Sequence, residues 1–251
     1  MLVTQTQVAV MVRAVRRSQP IRWIAVAVLA AAIPLPADAQ MAQQLSAEQR
    51  ALLDAGHPLF LTWDVPGSPW PRTCAFENVD ATPEEAAAAF TNYPRQRAYI
   101  PRIRKSLVSR VVDPATAEVD YTLDVPMVAD EDYTVRDRVS VDDSGASYTI
   151  EWTLVRASST KAIAGSVRFE PHHLQGTQRD VTLMSYCNLV TPGSGLAKLS
   201  FIKSRALVQA REAAHAIVVE VERQRASDRA LLADEVERLR AALAATRPQA
   251  Q

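Results

Sequence analysis

Cysteine, glycine and histidine are scarce in this chain, and each scarcity removes a class of chemistry. Two cysteines, Cys74 and Cys187, stand far apart and outside any ligand spacing. Zinc sites of the usual four-ligand kind are therefore excluded, and one disulfide is the most the chain can form. Of the four histidines, His172 and His173 are adjacent in a strand-like stretch and must point to opposite faces. His57 and His215 are isolated, and His215 reads as a boundary residue of a helix. No metal and no cofactor is expected. The seven glycines form no phosphate-cradling loop and no Gly-x-Ser-x-Gly elbow; Gly193-Ser194-Gly195 lacks the flanking pattern and reads as a strand-to-helix turn. Charge of one sign is missing too, with 28 basic against 28 acidic residues.

Long apolar runs are equally rare. The stretch from Trp23 to Leu35 is too short to span a bilayer comfortably. It follows Arg13, Arg16, Arg17 and Arg22 and precedes the small-x-small site Ala37-Asp38-Ala39. This pattern predicts a signal peptide over residues 1–39, cleaved before Gln40, and hence a periplasmic or secreted protein. Twin-arginine export fits the residues around Arg16-Arg17 poorly, and no cysteine stands at the cleavage point to suggest a lipoprotein. Four arginines and one aspartate fall before Gln40, which leaves 24 basic and 27 acidic residues, net −3. Nothing in that balance suits nucleic acid. About 210 residues remain, enough for one domain with a sizeable core and an appendage.

The longest uninterrupted element is at the C-terminal end. Leu196 to Arg247 contains neither Gly nor Pro and predicts one very long helix, or two with a break. Leu199, Ile202, Ala206, Ala210, Ala213, Ile217 and Val221 share one face. Lys198, Arg205, Gln209, Glu212, Glu220 and Arg223 line the opposite one, where water is expected. The alanines make the apolar stripe thin, so the helix either lies close to a sheet or leaves space beneath it.

Upstream, Ser46 to Gln49 predicts a capping box and a short helix ending near Gly56. Leu59–Val65 and Trp70–Val79 read as strands around the turn Pro66-Gly67-Ser68-Pro69. Thr82, Pro83 and Glu85 then supply an N-cap, a first-turn proline and a capping-box acid for a helix reaching about Phe90. A second short helix is expected over Arg95–Tyr99. Strands follow without an intervening helix: 103–112, 118–127, 133–141, a strand carrying Tyr148 to Leu154, one carrying Ile163 to Phe169, and 180–190. Their alternation predicts an antiparallel sheet with one buried face. The fold class is α+β, with the helices on one face of a curved sheet.

This order, together with Val79-Asp80-Ala81-Thr82-Pro83-Glu84-Glu85, Tyr99-Ile100-Pro101 and Val190-Thr191-Pro192-Gly193, resembles the START-like, polyketide-cyclase-type helix-grip (SRPBCC) superfamily over about residues 70–225. The resemblance implies a curved antiparallel sheet wrapped around a long C-terminal helix, with two short helices after the first domain strand. It also implies an apolar cavity between sheet and helix for a lipid, sterol-like molecule, quinone or polyketide. Residues 40–69 form an extension before this domain, and residues 226–251 a helical extension after it. Leu232, Val236, Leu239 and Leu243 follow the spacing of a short coiled-coil seam, expected to self-associate weakly or dock on a partner.

Tyr121, Trp152, Phe169, Met184 and Tyr186 are large and face-consistent; periodicity alone reads them as core, and the resemblance makes them ligand-binding candidates. Asp137 interrupts the apolar face Tyr133, Val135, Val139. An ion pair with an arginine on a neighbouring strand, or a place near the open end of the sheet, is the favoured reading, and a polar anchor or general base in the cavity the sharper one. In the superfamily's fold the first and last domain strands are antiparallel neighbours. Parity then places Cys74 and Cys187 together on the outer face, and whether they bond is left open. Functionally the resemblance points to an exported carrier or sensor of a hydrophobic molecule, with room for transient membrane contact. The alternatives are a cyclase-like enzyme using Asp137 with Tyr121 or Tyr186, or an interaction module using the C-terminal helix.

Overall fold

A computed structural model describes residues 39–125, 129–193 and 200–246, all within a single compact unit, Pro36–Gln251. The stretch expected to be a signal peptide lies, up to Asp38, outside these residues, as do Met127, Ser194, Gly195, Lys198 and Leu199.

Eight strands form one antiparallel sheet: β1 (Leu59–Trp63), β2 (Arg72–Val79), β3 (Ile103–Asp113), β4 (Thr116–Leu123), β5 (Glu131–Val141), β6 (Tyr148–Ala157), β7 (Ala162–His173) and β8 (Asp180–Thr191). Their order is β1-β2-β8-β7-β6-β5-β4-β3, so strands from the two ends of the chain meet where β2 pairs with β8. The other neighbours are consecutive in sequence, as short hairpin connections dictate. The helices are α1 (Ala39–Gln43), α2 (Ala47–Asp54), α3 (Pro83–Thr91), α4 (Tyr93–Gln96), α5 (Ser200–Ser227) and α6 (Arg229–Thr246).

Local chemistry explains the helix starts. Ser46 with Gln49, and Thr82 with Glu85, each form both bonds of a capping box, and Pro83 occupies the first turn of α3. Thr82 is placed against the sheet by Thr182, whose hydroxyl donates to the Ala81 carbonyl at 2.6 Å. The second short helix begins at Tyr93 and ends at Gln96, earlier than expected. Pro94 lies in its first turn, where a missing N–H leaves no bond unmade.

α3, α5 and α6 pack on the inner face of the sheet. Ala86 to Phe90 of α3, Ile217, Val218 and Val221 of α5, and Val119, Ile150, Val167 and Phe169 of the sheet form one core. The break expected in the C-terminal helix falls at Asp228, between α5 and α6. The seam of α6 is closed within the chain: Leu232, Val236 and Leu239 are buried in this core, and Leu243 packs against it. Glu84 receives two bonds from Arg240, at 2.6 and 2.7 Å, and Asn92 on the next element donates to Glu235. Three of the four seam residues are therefore committed to the chain's own core. One further correction concerns Glu220, which was expected in water. It is buried, accepting from Arg95 at 2.7 Å and from Arg223 and Gln224. Burial pushes its carboxyl up, but these donors outweigh that and hold it down at about 2.

The outer face of the sheet has its own apolar cluster. Met41, Leu45 and Leu53 from α1, α2 and the turn between them cover Phe76 and Cys74 of β2 and Leu183 and Cys187 of β8. Cys74 and Cys187 are direct cross-strand partners with Cα atoms 4.1 Å apart, and they are joined by a disulfide. The inward and outward assignments of both strands hold. The residues before Trp70 thus supply an edge strand, β1, and a roof over the disulfide.

Candidate functional site

α5 is not packed on the sheet along its whole length. From Ala214 onward its inner face is in the core, whereas Ile202, Ala206, Ala210 and Ala213 line a cavity of about 1240 Å³. Small side chains on this half keep the helix surface thin, so the space between helix and sheet stays open. The cavity floor comes from inward positions of β4 to β8, and Phe90 of α3 and Gln96 of α4 close one end. Its volume exceeds the roughly 300–1,000 Å³ usual for a small-molecule pocket.

Four of the six expected ligand-binding residues line this cavity: Tyr121, Asp137, Trp152 and Tyr186. Phe169 and Met184 do not. They face each other across β7 and β8 and are fully buried in the core beside α3, with Phe169 6.4 Å from Phe90. Parity put them on the correct face of the sheet; it could not say where along the strands the core stops and the cavity starts.

The aromatic wall has a defined build. Tyr121 stacks on Tyr133 with ring centroids 5.3 Å apart, and Trp152 tilts against Tyr186 at 5.4 Å. Gly165, directly across from Trp152, makes the second arrangement feasible. A Cβ at that position would lie 2.5 Å from the Cys187 carbonyl oxygen and 2.6 Å from the indole ring. Gly165→Ala is therefore expected to displace Trp152 and to destabilise the fold by about 1–3 kcal/mol. Urea titration followed by tryptophan emission measures both effects; an unchanged midpoint and spectrum would show that the ring does not rest on the strand backbone.

The polar groups are few and mostly committed. Tyr121 donates to Gln96 Oε1 at 2.7 Å, and Gln96 donates in turn to the Phe90 carbonyl. The Trp152 indole N–H reaches Asn188 at 3.4 Å. Burial drives the tyrosine hydroxyls well above their ordinary range, Tyr186 to about 12, so they remain neutral. Towards the other end of β5, Glu131 accepts from the hydroxyls of Ser158 and Ser159 and from two backbone N–H groups. Burial raises this carboxyl, and the donors more than reverse it.

Asp137 is different. It is 3% exposed, and its Oδ2 has no partner. Among the described residues no arginine pairs with it, contrary to the reading favoured from the sequence. Arg136 and Arg138 on the same strand are exposed on the opposite face, and Arg136 bonds Glu118 instead. Burial alone pushes the Asp137 carboxyl up to about 8.

Several cavity residues escaped the sequence. Tyr133 could have been found, since it shares the face of Asp137. Gln209 and Arg205 were assigned to the wet side of the helix and line the cavity instead. A helix standing away from its sheet exposes the flanks of its inner face to the space beneath, and periodicity carries no signal of that separation. Trp70, before β2, lies on the wall with its indole N–H unpartnered. His172 and His173 diverge as expected, to Asp54 and Asp180 respectively, and no metal-holding cluster occurs among the described residues.

No protein-family model and no curated protein matches the chain. Solved structures do. A STAR-related lipid transfer protein fragment from Xanthomonas axonopodis aligns over 65% of this chain and 93% of its own, with a TM-score of 0.56 at 11% identity. Human STARD10 aligns over 70% of this chain and 74% of its own, with a TM-score of 0.54 at 10% identity. At such identities the likeness is one of architecture, and together with the sheet order and the long C-terminal helix it shows that this chain has the START-like helix-grip fold.

Proposed function

We propose that the protein binds a hydrophobic small molecule, of the lipid, sterol-like, quinone or polyketide kind, in the cavity beneath α5 and carries or senses it outside the cytoplasm. The observation that carries this reading is the cavity of about 1240 Å³ with its aromatic and aliphatic wall. Apolar surface that the fold leaves uncovered gains roughly 25 cal/mol per Å² when a ligand covers it. One structural neighbour, the Xanthomonas axonopodis protein, is a lipid transfer protein, which supports the reading. The export signal supports the compartment. Phe201 and Val208, exposed and on the cavity rim, suit transient contact with a membrane during loading.

Extraction of the purified protein followed by mass spectrometry tests this directly, and a stoichiometric apolar molecule is the expected result. A double variant, Ala206→Trp with Ala210→Trp, fills the space from the helix side. It is expected to fold and to lose at least about tenfold in affinity for a neutral apolar dye such as Nile red. Undiminished binding by the filled variant would place the ligand elsewhere.

A further inference from the structure

Three buried polar atoms on the cavity wall lack a partner among the described residues: the Trp70 indole N–H, the Gln209 amide nitrogen and Asp137 Oδ2, which is the one acceptor of the three. Asp137 Oδ2 is buried and unpartnered in a carboxyl that lines the space. Its cross-strand neighbours are Ala117 and Trp152, neither of which can neutralise it. Tyr121, Tyr133 and Tyr186 line the same space, and Tyr93 approaches from α4; all four feel the Asp137 charge, and all four stay neutral. The remaining charged groups on the wall are Asp130, Glu131 and Arg205. Glu131 is already held by Ser158 to Thr160, and Arg205 lies exposed on α5 without a bond to Asp137. Among the described residues no basic side chain pairs with this acid.

A neutral hydroxyl on a ligand would need no carboxylate; an amide of the kind Gln96 supplies would serve it. Without a partner this acid avoids the cost of a buried charge by keeping its proton; ionising it in the dry wall takes a ligand that brings positive charge together with its donors. The ring pairs Tyr121–Tyr133 and Trp152–Tyr186 add faces that attract a cation in a dry setting. Resting on the reading of this cavity as a binding site, we propose that its ligand is an amphiphilic amine, an apolar chain or ring system bearing one ammonium group that donates to Asp137 Oδ2.

The linkage has a defined sign. In the empty cavity the acid holds its proton up to about pH 8. An ammonium ligand needs the ionised form, so binding expels one proton. Affinity then rises about tenfold per pH unit below 8 and levels off above it. An alcohol of the same length releases no proton and shows no such slope.

Isothermal titration of the full chain with decylammonium chloride and with 1-decanol, at pH 6, 7 and 8 in two buffers of different ionisation enthalpy, reads both affinity and proton release. Decylammonium is expected to tighten about tenfold from pH 6 to 7 and about fivefold from pH 7 to 8, with close to one proton released at pH 6 and about half a proton at pH 8, and decanol to bind independently of pH. Asp137→Asn is expected to weaken decylammonium at pH 8 by at least about tenfold and to abolish its slope, while decanol is affected far less. Decanol binding as tightly as the amine at pH 8, or an amine slope that survives Asp137→Asn, would overturn the amine and leave the apolar cavity standing. Failure of both ligands to bind would overturn the cavity reading and the amine with it.

Discussion

An Ile217→Asp chain is expected to be unfolded at 25 °C. Ile217 is 1% exposed on α5, where that helix is pressed on the sheet together with Ala214, Val218 and Val221. The substitution removes a large aliphatic contact, worth about 2–4 kcal/mol by itself. It also sets a carboxylate in a place with no donor. Either the charge is buried unpaired or the acid takes up a proton, and both outcomes cost several kcal/mol more. Domains of this size are stable by about 5–15 kcal/mol, so the sum is comparable with the whole margin. Val219→Asp is the control. It lies two residues away on the same helix but is half exposed, and it is expected to change stability by no more than about 1 kcal/mol. Circular dichroism and urea titration of the pair separate helix propensity from burial. An Ile217→Asp chain that melts with the wild type would mean that α5 does not hold the sheet.

Asp137→Asn should act in the opposite direction and only at higher pH. With the folded carboxyl at about 8 and the unfolded one near its ordinary value, the folded state holds a proton between about pH 4 and 8 that the unfolded state releases. Stability from this group is complete below the unfolded value, declines as pH rises through the window and is flat beyond 8. Asparagine cannot titrate and has no slope. The variant is therefore expected to match the wild type near pH 4 and to exceed it near pH 8 by on the order of 5 kcal/mol. Glu131 and Glu220, whose carboxyls are held low, give stability that is lost as pH falls, but they do so equally in both chains and cancel in the comparison. Urea midpoints of ligand-free protein across that range measure the difference. Parallel curves would show that Asp137 has found a partner or is ionised without penalty.

Much of the architecture was readable because it is written in local chemistry. Thr82-Pro83-Glu85 specifies a helix start from three adjacent side chains, and the alternation around Tyr121 and Val135 specifies which face is wet. The Cys74–Cys187 pairing followed from parity once the first and last domain strands were taken as neighbours, an assumption supplied by resemblance. The site was only half readable. Asp137 stood out because a charge on an apolar strand face is conspicuous in one dimension. Phe169 and Met184 looked the same as Trp152 and Tyr186, since the boundary between core and cavity depends on where α3 and α6 fill the sheet. The fate of α6 was unreadable for a related reason: a leucine seam signals that a partner surface exists but does not say whose it is.

The roof formed by α1 and α2 has a consequence for how the sequence can drift. Most strands of the sheet have one covered face and one wet face, so every second position can change freely. β2 and the adjoining part of β8 are covered on both sides, by α5 within and by Met41, Leu45 and Leu53 without. Seven of the eight residues of β2 are buried, whichever way they point. Substitutions tolerated at Glu151 or Arg138 have no counterpart there. In a library scored for folding, this pair of strands should emerge as a continuous intolerant band rather than an alternating one, and the residues before Leu59 would set its width.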